Sequence, residues 1–339
     1  MSIGLITLIL AIGILFLLFA GVPLAFSTGI MAAALILMEF GPTGLSLIAT
    51  RIYDLMADFS FVAVPLFVMM GLVLEKSGVT NDLFRAMSIL GGKIRGGLAV
   101  QTLAVSVLLA SMSGIIGGEI VLLGLIALPE MLKRGYDKKL AVGVVCAGGS
   151  LGTMIPPSIV LIVYGLTTDT GVGELFLAVL LPGLMLASLY VVYVMVTATI
   201  WPEKAPPLPI EELNISRAEK MAVMRGAILP VAVAAWVLTC IYTGITSFIE
   251  AAAMGVIGAL ISAAIKGTFS LSLIRDVCNQ TLRICGMIMW IVFGATALIG
   301  VYNFFGGAAY VTSAIKALDW SPLAILIVMM LIRLSLIHI

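Results

Sequence analysis

Histidine is nearly absent from this chain: its one residue, His338, stands next to the last position. Hydrolytic chemistry needs a base beside the nucleophile, or His and Cys ligands at helical spacing. No such arrangement, HExxH pattern or paired aspartate dyad occurs, so an intramembrane hydrolase finds no support and the chain does not read as an enzyme. Charge is also scarce. Only 10% of residues are Asp, Glu, Lys or Arg, whereas a soluble domain carries about 25%. Net charge is +1 with no basic cluster, which argues against a nucleic-acid partner. Four cysteines (Cys146, Cys240, Cys278, Cys285) lack metal or redox spacing and read as small apolar residues within helices. No Lys or Arg precedes Arg51, so the apolar run from Ile3 to Ala20 lacks the positive start of a cleaved leader. It reads as a retained first span with a non-cytoplasmic N-terminus.

What remains is apolar: 62% hydrophobic residues and a mean hydropathy of +1.24. These values describe an all-α polytopic membrane protein in a lipid bilayer. Lys and Arg mark cytoplasmic loops, here the basic stretches 76–95, 133–139, 204–225 and 266–283. Spans are expected at 3–20, 24–40 and 59–75, with 41–58 on the outer surface. Downstream spans are expected at 175–200, 226–243, 247–265 and 284–303, with amphipathic stretches at 80–95 and 268–283. The Pro-rich segment 201–225 reads as a cytoplasmic loop between two halves.

Two stretches depart from plain spans. Residues 97–132 have basic flanks at both ends and divide at Ser111–Gly114 and Gly117–Glu119 into arms of about 14 residues, below the roughly 20 needed to span. That pattern predicts a re-entrant hairpin; two tilted spans are the other reading. Residues 139–168 carry Gly148-Gly149-Ser150-Leu151-Gly152-Thr153-Met154-Ile155-Pro156-Pro157-Ser158 in mid-run. Proline removes a donor and pushes its predecessor out of helical conformation. In hydrocarbon, the freed backbone groups need protein, water or an ion. Secondary transporters build ion and substrate sites at such breaks. Half-helix N-termini suit a carboxylate, and unwound carbonyls suit a dehydrated cation. Ser113, Ser150, Thr153 and Ser158 add hydroxyls. Gly148 and Gly152 also have the spacing of close helix packing.

Three elements resemble the large membrane subunit of tripartite ATP-independent periplasmic (TRAP) transporters. They are Pro129-Glu130-Met131-Leu132-Lys133-Arg134-Gly135-Tyr136, the Gly-Thr-x-Ile-Pro-Pro-Ser element at 152–158, and Glu250-Ala251-Ala252-Ala253. The resemblance covers Ile3 to Arg333. It implies an elevator-type fold of the ion-transporter superfamily with inverted repeats, a re-entrant hairpin and a broken helix. It further implies Na⁺-coupled uptake of an organic acid anion across a bacterial inner membrane, with a periplasmic N-terminus. The implied partners are a small four-helix membrane subunit and a periplasmic substrate-binding protein. No cofactor is implied beyond Na⁺ as coupling ion.

Carried over by position, Na⁺ would be held at Ser113, Gly152, Ile155 and Pro157, with Gly114, Thr153 and Ser158 in the substrate cleft. The family tip reads Ser-Gly-Ser-Ser, whereas this chain has Ser113-Gly114-Ile115-Ile116, and Ile249 replaces a family threonine. Glu119 is unusual at the tip and has three readings: cation ligand, proton carrier or helix cap. Glu250 at a helix start reads as structural, as does the Glu130–Arg134 pair. A stand-alone Na⁺/carboxylate symporter is the alternative, with a passive channel further behind.

The implied domains are 1–75 (scaffold), 76–168 (first-repeat transport element), 169–265 (scaffold) and 266–333 (start of a second repeat). Residues 334–339 read as the translation of CTG TCT CTT ATA CAC ATC, a transposon-adapter end. A non-native tail and a C-terminal truncation near Arg333 are therefore expected.

Overall fold

The computed structural model describes residues 2–78, 82–87, 96–114, 116–168, 170–207 and 217–337; among these there is helix and turn but no strand. Helix α1 (Ile3–Phe19) passes through Gly21, at φ +83°, and Pro23 into α2 (Leu24–Phe40). A 3₁₀ turn, Pro42–Gly44, leads to α3 (Leu45–Ala57), and a second, Phe59–Val62, opens α4 (Ala63–Lys76). Pro65 falls in the first turn of α4, where its missing N–H has no intrahelical partner to lose.

Residues 82–87 are helical, whereas the remainder of the amphipathic stretch expected at 80–95 lies outside the described residues. Next come α5 (Gly97–Ser113), α6 (Ile116–Lys133), α7 (Lys138–Ser150), α8 (Ile159–Thr168) and α9 (Val172–Ile200). They are followed by α10 (Arg217–Thr243), α11 (Phe248–Ile265), α12 (Leu271–Phe304), α13 (Gly307–Ala317) and α14 (Pro322–Ile337). Among the described residues, Phe59–Lys76, Val172–Ile200, Phe248–Ile265 and Leu271–Phe304 are long and apolar enough to cross a membrane. Eighteen residues of helix rise about 27 Å, close to the hydrocarbon thickness.

The chain divides into two compact units, Met1–Asp58 with Met287–Ile339, and Phe59–Gly286. In the first, Ile6 and Leu10 of α1 pack with Leu35 and Ile36 of α2 and with Ala297 and Val301 of α12. Thr7 Oγ1 lies 2.9 Å from the Tyr302 hydroxyl, so polar atoms in this core are paired too. Gly294 lets α12 close on α2 beside the Ala25 carbonyl and the Thr28 hydroxyl.

In the second unit, α4 packs along α11, where Gly255 leaves room for Met70. Lys266, just after α11, bridges Asp82 at 2.5 Å. Helices α5, α6 and α7 pack on one another, and α9 covers α5. Glu130 and Arg134 form the i,i+4 pair expected of them, at 2.6 Å.

Several expectations need correction. Helix α10 starts at Arg217, so the end of the segment read as loop 201–225 is helical. Residues 208–216 of that loop lie outside the described residues. The stretch 268–283 and the span 284–303 form one helix, α12, because no proline interrupts them and isolated glycines do not end a helix. Helix α13 was not foreseen. The hairpin arms contain 17 and 18 residues rather than 14, because Gly117–Glu119 are helical and the tip shrinks to the turn at Gly114. Leu334–Ile337 continue α14 and His338 and Ile339 lie outside the described residues, which leaves the expectation of a non-native tail at 334–339 as it stood.

Candidate functional site

Helix α7 begins firmly. Asp137 caps it, its Oδ1 accepting from the Leu140 N–H at 3.0 Å. Helical bonding then tightens into the 3₁₀ turn Leu151–Thr153, and the N–H groups of Met154 and Ile155 both donate to the Leu151 carbonyl at 2.9 Å. There the helix stops. The Pro156-Pro157 peptide is cis, and α8 starts only when the Ile162 N–H reaches the Ser158 carbonyl at 3.1 Å. Residues Ile155 to Ser158 are buried. Among the described residues, no backbone N–H donates to the carbonyls of Ile155 or Pro157. The Ser158 hydroxyl is fully buried and has no hydrogen-bond partner among the described residues. Buried polar oxygens without partners are uncommon in folded proteins and mark strain, function or an absent ion or water.

The hairpin tip meets this break directly. Gly114 closes α5 in the left-handed region, at φ +59°, with its N–H donating to Ala110 O at 3.3 Å. A Cβ on Gly114 would lie 2.5 Å from the Pro157 carbonyl oxygen and 3.6 Å from Ser158 Cα. Glycine is thus required twice here, by its backbone angle and by the approach of another backbone. Gly149 similarly lets Ile120 of α6 against α7, and Gly148 admits Ser106 of α5. Packing therefore accounts for Gly148. On the far side, a Cβ on Gly183 of α9 would lie 2.9 Å from the Met154 carbonyl oxygen, so α9 also touches the break. Ala110, Leu151, Ile155 and Ala187 form the apolar backing.

Gly152 has a different neighbour. A Cβ there would stand 2.6 Å and 3.1 Å from the two carboxylate oxygens of Glu119. Glu119 lies in the first turn of α6 and is 3% exposed. A second carboxylate sits on the other side of that turn, because a Cβ on Gly118 would lie 3.9 Å from Glu75 Oε2. Glu75 belongs to α4 and was missed in the sequence, where it reads as the polar end of a span. Its only signal is a carboxylate closing an otherwise apolar run.

The sequence-derived candidates thus fall into groups. Gly114, Pro157 and Ser158 come together, and Gly152 faces Glu119. Ile155 is buried beside them, at the apolar backing. Thr153 and Ser150 use their hydroxyl protons on helix carbonyls, Thr153 on Ser150 O at 2.8 Å and Ser150 on Ala147 O at 2.7 Å. Their oxygens keep acceptor capacity only. Ser113 closes α5; its side chain and Ile115 lie outside the described residues. Glu250 belongs to a capping box. Its carboxylate accepts from the Ser247 N–H at 2.8 Å while its own N–H donates to the Ser247 hydroxyl at 3.2 Å.

Comparison with known proteins gives a consistent picture. The family model described as tripartite ATP-independent periplasmic transporter, DctM component, matches residues 11–337. The C4-dicarboxylate TRAP transporter large permease protein DctM of Pseudomonas aeruginosa is 30% identical over 305 residues, covering 90% of this chain and 70% of that protein. The ectoine TRAP transporter large permease protein TeaC of Halomonas elongata is 31% identical over 282 residues, 82% of this chain and 63% of that protein. The sialic acid TRAP transporter large permease protein SiaM of Vibrio cholerae is 28% identical over 285 residues, 84% of this chain and 65% of that protein. The chain thus spans about two thirds of the length of these relatives.

Proposed function

Because the chain belongs to the DctM-component family of tripartite ATP-independent periplasmic transporters, we propose that it forms the membrane path of a Na⁺-coupled uptake system. The family consists of transporter permeases and is not enzymatic. On this reading the chain is a multi-pass inner-membrane subunit. It accepts an organic acid anion from a periplasmic binding protein and works beside a small membrane subunit. The named relatives carry a dicarboxylate, ectoine and sialic acid. Each of these bears a carboxylate, which supports a carboxylate-bearing substrate and leaves the rest of its structure to the binding protein.

The observation that carries the ion reading is the contact at Gly114. It brings the hairpin tip onto the Pro157 carbonyl, beside the unpartnered Ser158 hydroxyl. Oxygen-only ligands at a buried helix break suit a hard cation such as Na⁺. We assign the cation to backbone oxygens of Ser113, Gly152, Ile155 and Pro157 and the substrate carboxylate to the cleft at Gly114, Thr153 and Ser158, with the unpartnered Ser158 hydroxyl shared between the two as a further cation ligand. Alternation would move the hairpin and broken helix together as an elevator.

Glu119 favours one addition. A buried carboxyl group against Gly152 adds two side-chain oxygens where a cation would sit, so it is assigned to cation binding rather than to capping alone. The test is uptake into proteoliposomes by the complete large subunit with its partners, scanned over organic acids under Na⁺ or K⁺ gradients. Uptake is expected only with Na⁺ and added binding protein. Glu119→Gln is expected to raise the half-saturating Na⁺ concentration about tenfold, equivalent to about 1.4 kcal/mol. Uptake without binding protein would point to a stand-alone symporter. An unchanged Na⁺ dependence and pH profile in Glu119→Gln would reduce that residue to a helix cap.

A further inference from the structure

A second recess lies away from the break, between α7 and α9. It encloses about 540 Å³ and extends along α7 from Lys139 to Ala147 and along α9 from Thr197 to Leu189. Eight residues of helix on each side give it a length of about 12 Å. Its walls are apolar through most of that length, from Leu103, Leu140, Val144, Leu189 and Val194. Polar atoms gather at one end, where Lys139, Lys204, Thr197 and Asp137 line it.

That polar end is built rather than incidental. The Asp137 N–H donates to the Lys204 carbonyl at 2.9 Å, tying the start of α7 to the turn after α9. The Lys204 ammonium rests 4.3 Å above the Trp201 ring, a cation–π contact that fixes its position. The Asp137 carboxylate is engaged as the α7 cap, so two lysines and one carboxylate that is already hydrogen-bonded line this end of the recess. The N-terminal end of α7 adds partial positive charge at the same place. The mouth therefore favours an anion.

The groove also opens sideways onto an apolar surface. Leu189, Val192, Tyr193 and Val196 on that flank of α9 are 55%, 54%, 65% and 48% exposed. In a membrane protein such a flank faces hydrocarbon. An anion with an apolar chain fits both halves of the recess, whereas a small soluble anion would leave the apolar length empty. The basic stretches holding Lys139 and Lys204 read as cytoplasmic, and basic pockets between helices on that face bind anionic head groups.

We propose that the groove between α7 and α9 binds an anionic phospholipid, with an acyl chain along the apolar walls and its phosphate between Lys139 and Lys204. Since α7 leads into the break, the bound lipid would clamp the broken helix to α9. The proposal does not rest on Na⁺ coupling, and its test involves no transport.

The test is native mass spectrometry of the delipidated full chain, titrated with phosphatidylglycerol and phosphatidylcholine of matched acyl chains. Preferential retention of phosphatidylglycerol is expected, and the preference should fall about fivefold for each lysine lost in Lys139→Ala with Lys204→Ala. The Lys139→Arg, Lys204→Arg pair should keep it, and Leu189→Trp should exclude both lipids. Should the double alanine variant fail to fold, Lys139→Glu alone, at an exposed position, gives the same readout. An unchanged preference in the lysine variants overturns the proposal. So does displacement of the lipid by millimolar inorganic phosphate, which would make the mouth a site for soluble anions.

Discussion

Gly114 concentrates the physical demands of the site in one residue. Its left-handed backbone costs a side-chain-bearing residue about 1–2 kcal/mol, and a Cβ would press on the Pro157 carbonyl oxygen from 2.5 Å. Overpacking adds about 1–3 kcal/mol. Gly114→Ala should therefore lower thermal stability measurably and impair uptake per folded molecule. The matched control is Gly124→Ala on α6, where a Cβ would meet nothing within 4 Å. That change should leave stability level or raise it by up to about 1 kcal/mol. Equal losses in both variants would mean that the tip–break contact is not what demands glycine. At this scale the sequence showed part of the site. Pro156-Pro157 announces a break from its own chemistry, since two adjacent prolines remove two donors and push their predecessors out of helical conformation, whereas the single Pro129, Pro182 and Pro230 are carried inside helices. That Gly114 abuts Pro157, that Gly152 faces Glu119 and that Glu75 stands across the α6 turn are tertiary facts. No local pattern encodes them, because each joins residues from separate helices.

At the scale of elements, helix ends were read best where a capping residue or a proline stands at them. The Ser247–Glu250 box opens α11 as a structural device, and Asp137 opens α7. Ser247→Ala should cost about 1 kcal/mol and lower thermal stability, while KM and Na⁺ dependence of the folded fraction stay unchanged. A Na⁺ effect at unchanged stability would instead assign Glu250 to the transport site. Apart from α10, the elements misread were those lacking such punctuation. Helix α12 runs through Arg275, Asp276 and Arg283, charges that had marked a membrane boundary. Charge sets the depth of a helix, not its end. For α10 a signal was available, because Ser216 and Glu219 stand at capping-box spacing ahead of the helical run. The hairpin turn also proved shorter than its glycine content implied, since glycine weakens a helix without obliging it to stop.

For the molecule as a whole, composition alone fixed an all-helical membrane chain, and the family match places it among TRAP large permease subunits. The central claim is that the tip–break contact, with its unpartnered Ser158 hydroxyl, holds the coupling Na⁺. A ligand that binds only the folded state stabilises it by an amount that grows with concentration over Kd, so occupancy can be read without transport. The direct measurement is thermal unfolding of the purified large subunit titrated with NaCl against KCl at equal ionic strength, for wild type and Ser158→Ala. Na⁺-specific stabilisation is expected in the wild type, with a clear weakening of it in Ser158→Ala. Equal stabilisation by Na⁺ and K⁺, or an unaltered Na⁺ response in the variant, would contradict the central claim.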